Sequence, residues 1–140
     1  MNLPSLDIKK SDSQPIRQQI KQVLLNLFLN AAESMVSHGG TLTVRSHAVP
    51  QLDGEQWVQV EVRDTGSGIA QDDLEHIFDP FFTTKHHSEE YEGTGLGLAI
   101  AHQIIQEHKG RVEVKSELGK GATFLVNLPA QNHSSQLVEI

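Results

Sequence analysis

The chain contains no cysteine, so it can form no disulfide, no thiol nucleophile and no cysteine-ligated zinc site. It also lacks any apolar run near the roughly 20 residues of a membrane-spanning helix, and no signal peptide opens it. Basic residues are few, with 11 Lys and Arg against 18 Asp and Glu, which gives a net charge of -7. Since nucleic-acid binding needs a basic surface, we expect no nucleic-acid partner. Because no apolar run is long enough to span a membrane, we also expect no direct membrane contact.

Hydrophobic periodicity predicts an alternation of helices and strand pairs along the chain. A stretch with helical spacing of apolar residues is followed by a pair of stretches with two-residue alternation. Later in the chain, a second helical stretch is followed by a second alternating pair. This order predicts a two-layer α/β sandwich, in which helices cover one face of a mixed, mostly antiparallel sheet. The predicted elements are a helix at 15–37, strands at 41–49 and 57–64, a short helix at 70–77, a helix at 95–109, and strands at 111–116 and 122–128.

One folded domain is expected over residues 15–129, because a chain of 140 residues can bury a single hydrophobic core. Residues 1–14 are predicted to be a leader or an irregular edge strand. Residues 130–140 are polar and are predicted to form a flexible tail. The stretch 83–92 is polar and has no period, so we expect a loop there.

A polar stripe interrupts the first apolar helix. Asn26, Asn30 and Glu33 lie at positions i, i+4 and i+7, which places them on one side of the helix. A solvated face is one interpretation. The other is that the side-chain oxygen of Asn30 binds Mg²⁺, which prefers oxygen ligands and usually shares its shell with substrate phosphates and water.

The segment from Asp64 to Gly68 reads Asp-Thr-Gly-Ser-Gly at the end of a predicted strand. A plain turn uses the same residue types. A carboxylate, however, only accepts hydrogen bonds, so Asp64 could bind the exocyclic amine of adenine and reject guanine, which presents a carbonyl there. Gly66 and Gly68 would then let the backbone approach the base.

A second glycine run, Gly93 to Gly97, leads directly into the second long helix. Backbone N–H groups at a helix start can hold phosphate, and a flexible hinge is the plainer interpretation. No strand precedes the run, so a dinucleotide-binding fingerprint is not supported, and a P-loop sequence is absent. Lys85, in the predicted loop, could reach a phosphate or could simply be solvated.

Together these motifs resemble the catalytic, ATP-binding domain of bacterial sensor histidine kinases, in the superfamily shared with gyrase, the Hsp90-type chaperones and the MutL proteins. The resemblance spans about residues 15–129 and implies the Bergerat-type ATP-binding fold. It is particularly close to the nitrogen-regulation and dicarboxylate-sensor kinases. The motifs that carry it are QVLLNLFLNA for the N box, DTGSGI for the first glycine box, IFDPFFTTK for the F box, GTGLGLAI for the second glycine box and GKGATF for the last element.

The resemblance implies a role for each matching position. Asn30 would hold Mg²⁺ and Asp64 would bind adenine, with Ile69 lining the base. Thr123 would support the water network around Asp64. The family often has Lys and an aromatic residue where this chain has Glu33 and Ser34. The contacts implied for the lid and the ATP phosphates are Thr84, Lys85, Gly93, Thr94, Gly95, Leu96 and Gly97.

Asn26 separates two kinds of chemistry within the superfamily. Relatives that hydrolyse ATP have a Glu four residues before the metal-binding Asn, and this Glu activates water. An amide cannot take that proton. The resemblance therefore implies a protein-histidine kinase domain, with Asn26, Asn30 and Lys85 as its catalytic residues, that binds ATP with little turnover as an isolated chain.

The partners implied by the resemblance are ATP, a histidine-bearing dimerisation domain absent from this chain, and a response regulator receiver domain downstream. The isolated domain is expected to be monomeric and cytoplasmic, or the cytoplasmic part of a membrane-bound sensor. Three alternatives stay open at this point. They are a non-catalytic nucleotide-binding module, an ATPase of the gyrase or chaperone type, and a serine kinase of the anti-sigma type.

Overall fold

The computed structural model describes residues 13–82 and 96–130. Its first helix begins at Ser13, two residues before the predicted start, and its last strand ends at Ala130. The predicted edge strand before residue 13 and the predicted tail after residue 130 lie outside the described residues. The elements are helix α1 (Ser13–Ser34), strands β1 (Leu42–Pro50) and β2 (Gln56–Asp64), a 3-10 turn (Gln71–Asp73), helix α2 (Gly97–Glu107), and strands β3 (Arg111–Ser116) and β4 (Ala122–Ala130).

The four described strands form one sheet in the order β1-β2-β4-β3, and each neighbouring pair is antiparallel. Short turns join β1 to β2 and β3 to β4, which only antiparallel neighbours allow. The two inner strands, β2 and β4, pair with each other and bring the two hairpins together. Within the described ranges, neither helix is long and apolar enough to cross a membrane.

Both helices pack on one face of the sheet, which confirms the predicted two-layer α/β sandwich. The residues of β2 and β4 that face the helices alternate with residues that face away, as the two-residue period of a strand requires. Burial of this face and of the facing helix stripes supplies the hydrophobic core. The core includes Val23, Leu24 and Leu27 of α1, Ala101 and Ile105 of α2, Val60 and Val62 of β2, and Phe124, Val126 and Leu128 of β4.

The prediction of a helix at 70–77 was wrong beyond the first turn, where the structure has a 3-10 turn at Gln71–Asp73. The backbone there makes successive i to i+3 hydrogen bonds, from Asp73 to Ala70, from His76 to Asp73 and from Asp79 to His76, rather than i to i+4 bonds. This tighter path buries Ile77 and stacks Phe78 against His102 of α2, with a ring separation of 4.6 Å. Tertiary packing of two apolar side chains therefore outweighs the local helical pattern.

The two long helices end earlier than predicted. Helix α1 stops at Ser34, and the chain then turns through Gly39, which has a φ of 70° and donates its N–H to Met35 at 2.8 Å. Helix α2 stops at Glu107, and Lys109 adopts a φ of 62°. Left-handed residues of this kind terminate helices and redirect the chain.

Candidate functional site

The site is built along one stripe of α1. Asn26, Asn30 and Ser34 are four residues apart, so they follow one another at intervals of about 6 Å along the helix axis. Asn26 contacts the first residue of α2, and Ser34 contacts the loop that follows β2. Asn30, which is half-buried, therefore lies one helical turn from each of these two contacts.

The side chain of Asn26 is buried, with 9% of its surface exposed, and both ends of its amide are engaged. Its Nδ2 donates to the carbonyl oxygen of Gly97 at 2.9 Å, and its Oδ1 accepts from Nε2 of Gln22 at 2.8 Å. A carbonyl oxygen can only accept, so the amino group of Asn26 must be the end that faces Gly97. The start of α2 is thus held directly against α1.

Asp64 is the last residue of β2, and its side chain is almost fully buried, at 3% exposure. Oδ1 accepts hydrogen bonds from the backbone N–H groups of Gly66, at 2.9 Å, and Ala122, at 3.3 Å. These two bonds, which are the ones made among the described residues, end on the same oxygen. The other oxygen, Oδ2, accepts no hydrogen bond from the described residues.

Hydrogen bonds hold the loop from Asp64 to Ala70 against two other parts of the protein. On one side, the N–H of Ser67 donates to the carbonyl of Ser34 at 3.1 Å. On the other side, the N–H of Gly119 donates to the carbonyl of Ser67 at 2.6 Å, and the N–H of Ile69 donates to Oγ of Ser116 at 2.8 Å. The loop therefore bridges the end of α1 and the turn between β3 and β4.

Gly66 and Gly68 are needed for close packing of this loop on the protein itself. A Cβ at Gly66 would collide with Ser34, and one at Gly68 would collide with the backbone carbonyl of Glu117. Gly68 also has a φ of 74°, which an L side chain rarely adopts. Each glycine therefore has a role in packing, and its expected role in letting the backbone approach a base stays a prediction.

The expected role of Thr123 in a water network around Asp64 stays a prediction, and the structure describes the surroundings of both residues. In the register of β2 with β4, Asp64 pairs with Ala122, and Thr123 pairs with Arg63. Side chains alternate along a strand, so Thr123 points to the face away from the helices, and Asp64 points toward them. The backbone N–H of Ala122 makes the contact with Asp64, and Asp64, Thr123 and Lys115 all help to line an open cleft of about 490 Å³ at this end of the sheet.

The remaining predicted residues divide into two groups. Ile69 packs against the core, and Leu96 lies directly before α2, where its carbonyl accepts the N–H of Ile100 at 2.9 Å. Within residues 13–82 and 96–130, no group of three or more His, Asp or Glu side chains could hold a metal ion. Thr84, Lys85, Gly93, Thr94 and Gly95 lie outside the described residues, and their roles stay predictions.

Two contributors to the site were not predicted from the sequence. Ser116 Oγ accepts from Ile69 and donates to the carbonyl of Gly121 at 2.7 Å, so it connects the loop to the start of β4. Its place at the end of a strand, before a glycine-bounded turn, is the only signal in the sequence. Gln22 orients Asn26 and lies four residues before it, a spacing that helical periodicity would have suggested.

Comparison with known proteins shows that the chain is similar to a known family. A family model described as histidine kinase-, DNA gyrase B- and HSP90-like ATPase matches residues 16–132. Among curated relatives, the sensor histidine kinase ZraS of Escherichia coli strain K12 is 44% identical over 111 residues, which is 79% of this chain and 22% of that protein. The chain thus spans about a fifth of the length of this relative.

Solved structures show the same fold. The mycobacterial sensor histidine kinase MprB superposes with a TM-score of 0.70 at 26% identity, over 86% of this chain and 76% of the other. Full-length ShkA, solved in complex with AMPPNP, superposes with a TM-score of 0.62 at 35% identity, over 81% of this chain and 22% of the other.

The close packing at Gly68 gives a testable consequence for stability. Gly54→Ala is the matched control, since Gly54 has a similar φ of 87° but no atom within 4 Å of an added Cβ. Gly54→Ala should lower the free energy of unfolding by about 1–2 kcal/mol through backbone strain alone. Gly68→Ala should lower it by about 1–3 kcal/mol more, because the loop must move. Urea denaturation followed by the fluorescence of Trp57 measures both, and equal losses would contradict the packing role.

Proposed function

Because the chain belongs to the family of histidine kinase-, DNA gyrase B- and HSP90-like ATPases, we propose that its site binds Mg-ATP and presents the γ-phosphoryl group to a histidine of a separate helical domain. The chain corresponds to the ATP-binding catalytic domain of two-component sensor histidine kinases. In the proposed reaction, a bond forms between a histidine nitrogen and the γ-phosphorus. The bond from that phosphorus to the β–γ bridging oxygen breaks, and ADP leaves.

The observation that carries the proposal is the position of Asn30 between two contacts of α1. One turn away on one side, Ser34 holds the loop that carries Asp64. One turn away on the other side, Asn26 holds the start of α2 at Gly97. A nucleotide lying along this stripe has its base at the loop and its phosphates at the helix start.

Asp64 is proposed to select adenine. Its Oδ1 is occupied by two backbone N–H groups, which fix the orientation of the carboxylate and leave Oδ2 as an acceptor. The exocyclic amine of adenine is a donor, whereas guanine presents a carbonyl at the equivalent position. A buried acceptor facing a carbonyl would remain unpaired, which makes guanine unfavourable.

The phosphate end is proposed to use Asn30 and the start of α2. The first N–H groups of a helix have no intrahelical acceptor, so those of α2 can donate to phosphate oxygens. The amide oxygen of Asn30 fits Mg²⁺, which takes oxygen ligands and completes its shell with phosphates and water rather than an all-protein cage. When bound, Mg²⁺ neutralises phosphate charge. Thr84, Lys85 and Gly93 to Gly95 are proposed to complete the lid.

Transfer rather than hydrolysis is favoured by the surroundings of Asn26. An amide cannot act as the base that activates water, and here the amide is held by Gln22 and Gly97. We therefore propose slow hydrolysis and a nucleophile supplied by another domain. A histidine-bearing dimerisation domain and a response regulator receiver domain are the proposed partners. The domain by itself is proposed to be monomeric and to function in the cytoplasm.

The role of Asp64 predicts a preference for ATP over GTP. Asp64→Asn keeps the shape of the side chain but presents an amino group to the base amine, so ATP affinity should fall roughly ten- to a hundredfold. Calorimetric titration measures this loss. Asp72→Asn, the same change at an exposed position of the 3-10 turn, should leave ATP binding unaltered. Equal affinities of the unmodified chain for ATP and GTP would contradict the proposal.

Asn30 should contribute only when the metal is present. Asn30→Ala should reduce ATP affinity about tenfold with Mg²⁺ and leave it unchanged in EDTA, because one oxygen ligand is lost. Gln18→Ala, which shortens an exposed amide on the same helix, is the control and should have no effect in either condition. A loss of the same size with and without Mg²⁺ would assign Asn30 to packing instead.

Phosphoryl transfer is tested by incubating the chain with γ-labelled ATP and a histidine-bearing helical domain from a relative. The expected product is acid-labile, alkali-stable phosphohistidine. No labelling at saturating ATP would favour a non-catalytic nucleotide-binding module, and acid-stable phosphoserine would favour a serine kinase. Rapid release of phosphate by the isolated chain would favour an ATPase of the gyrase or chaperone type.

A further inference from the structure

We propose that Gln22 is a positioning residue for the phosphate end of the site, acting through Asn26 on the start of α2. The inference rests on the proposed function, because it assumes that the first turn of α2 donates to the phosphates of ATP. It assigns a role in ligand binding to an exposed residue of α1 that contacts the rest of the site through Asn26.

The first step is the orientation of the Asn26 amide. In the observed orientation, Oδ1 accepts from Gln22 at 2.8 Å and Nδ2 donates to Gly97 at 2.9 Å. Rotating the amide by half a turn would place Oδ1 against the carbonyl oxygen of Gly97 and two amino groups against each other. The carbonyl of Gly97 requires the observed orientation, and Gln22 matches it by donating from its amino group, so a side chain at position 22 that offers only acceptors would oppose it.

The second step is that Asn26 controls where α2 begins. Gly97 is the first residue of α2 and has no side chain of its own to pack. A Cβ placed on Gly97 would lie 3.9 Å from Cβ and Cγ of Asn26, so the backbone of α2 faces this side chain directly. The hydrogen bond from Nδ2 is thus a polar contact between the first turn of α2 and α1, and it holds the two helices at a defined distance there.

The third step connects this contact to the ligand. The N–H groups available to phosphate belong to the same first turn, immediately beside the Gly97 carbonyl. If the amide of Asn26 turns over, two oxygens face each other and the first turn must move away from α1. The loss falls at the phosphate end, while the adenine end, held by the bonds of Asp64 to Gly66 and Ala122, is unaffected.

A simpler account is that Gln22 and Asn26 form an ordinary i to i+4 helix pair, which contributes only to the stability of α1. The two accounts differ in which ligands they affect. A helix pair changes all affinities or none, whereas a positioning residue changes the affinity for ATP and not that for adenosine, which lacks phosphates.

The experiment exchanges the hydrogen-bonding character of position 22. Gln22→Glu at pH 7 offers only acceptors and opposes Oδ1 of Asn26, whereas Gln22→Lys offers only donors and can replace the native bond. Gln18→Glu and Gln18→Lys are the matched controls, because Gln18 is exposed on the same helix one turn earlier and the charge changes are the same. ATP affinity is measured by calorimetry and adenosine affinity by NMR titration.

Gln22→Glu should bind ATP about tenfold more weakly than Gln18→Glu, which is the effect of one misplaced hydrogen bond. Gln22→Lys should stay within about twofold of Gln18→Lys, since exposed charges contribute little. Adenosine affinity should be equal in all variants. Equal ATP affinities of Gln22→Glu and Gln18→Glu, or equal losses for ATP and adenosine, would overturn the inference and leave the proposed function standing. Failure of the unmodified chain to bind ATP would overturn both.

Discussion

The hydrogen bond from Asn26 to Gly97 is the contact on which the arrangement of the site depends. It joins α1 and α2 through residues 71 apart in sequence, and the Asn26 side chain that donates it is buried. A buried polar contact requires a defined geometry, because a displaced partner leaves a desolvated group without a hydrogen bond. The apolar core could tolerate small shifts of α2 along α1, but this bond does not. The helix start is therefore set by a polar constraint and not by hydrophobic packing alone.

At the Ser34 end of the stripe on α1, backbone contacts set the position of the loop that follows β2. The loop after β2 has glycines where it passes Ser34 and Glu117, so main chain lies against main chain without intervening side chains. Hydrogen bonds to Ser34 and Ser116 then hold it in place. The carboxylate of Asp64 is consequently oriented before any ligand arrives, and little conformational entropy remains to be lost on binding. Helix α1 is the common support for both ends.

Much of the fold was predictable because periodicity reports burial directly. The alternation in residues 57–64 and 122–128 predicted β2 and β4 within one or two residues of their observed bounds, and both helices were recognised from their apolar spacing. The predicted helix at 70–77 was wrong because Ile77 and Phe78 are drawn into the core. The register of β2 with β4, in which Asp64 pairs with Ala122 and Arg63 with Thr123, was not predictable either, because a shift of one residue reverses the direction of every side chain. Local sequence does not contain that register.

The sequence by itself determined the class of fold, the family and the chemical identity of the groups at the site: an amide at position 26, an amide at 30 and a carboxylate at 64. These follow from residue type and spacing, which need no knowledge of distant contacts. Only the tertiary structure decided what each group touches. It showed that Asn26 is held by Gln22 and Gly97, and that Gly66 and Gly68 oppose protein atoms. The physical reason is that hydrogen bonds and close backbone contacts join residues far apart in the chain, and their geometry exists only once the helices and the sheet have packed together.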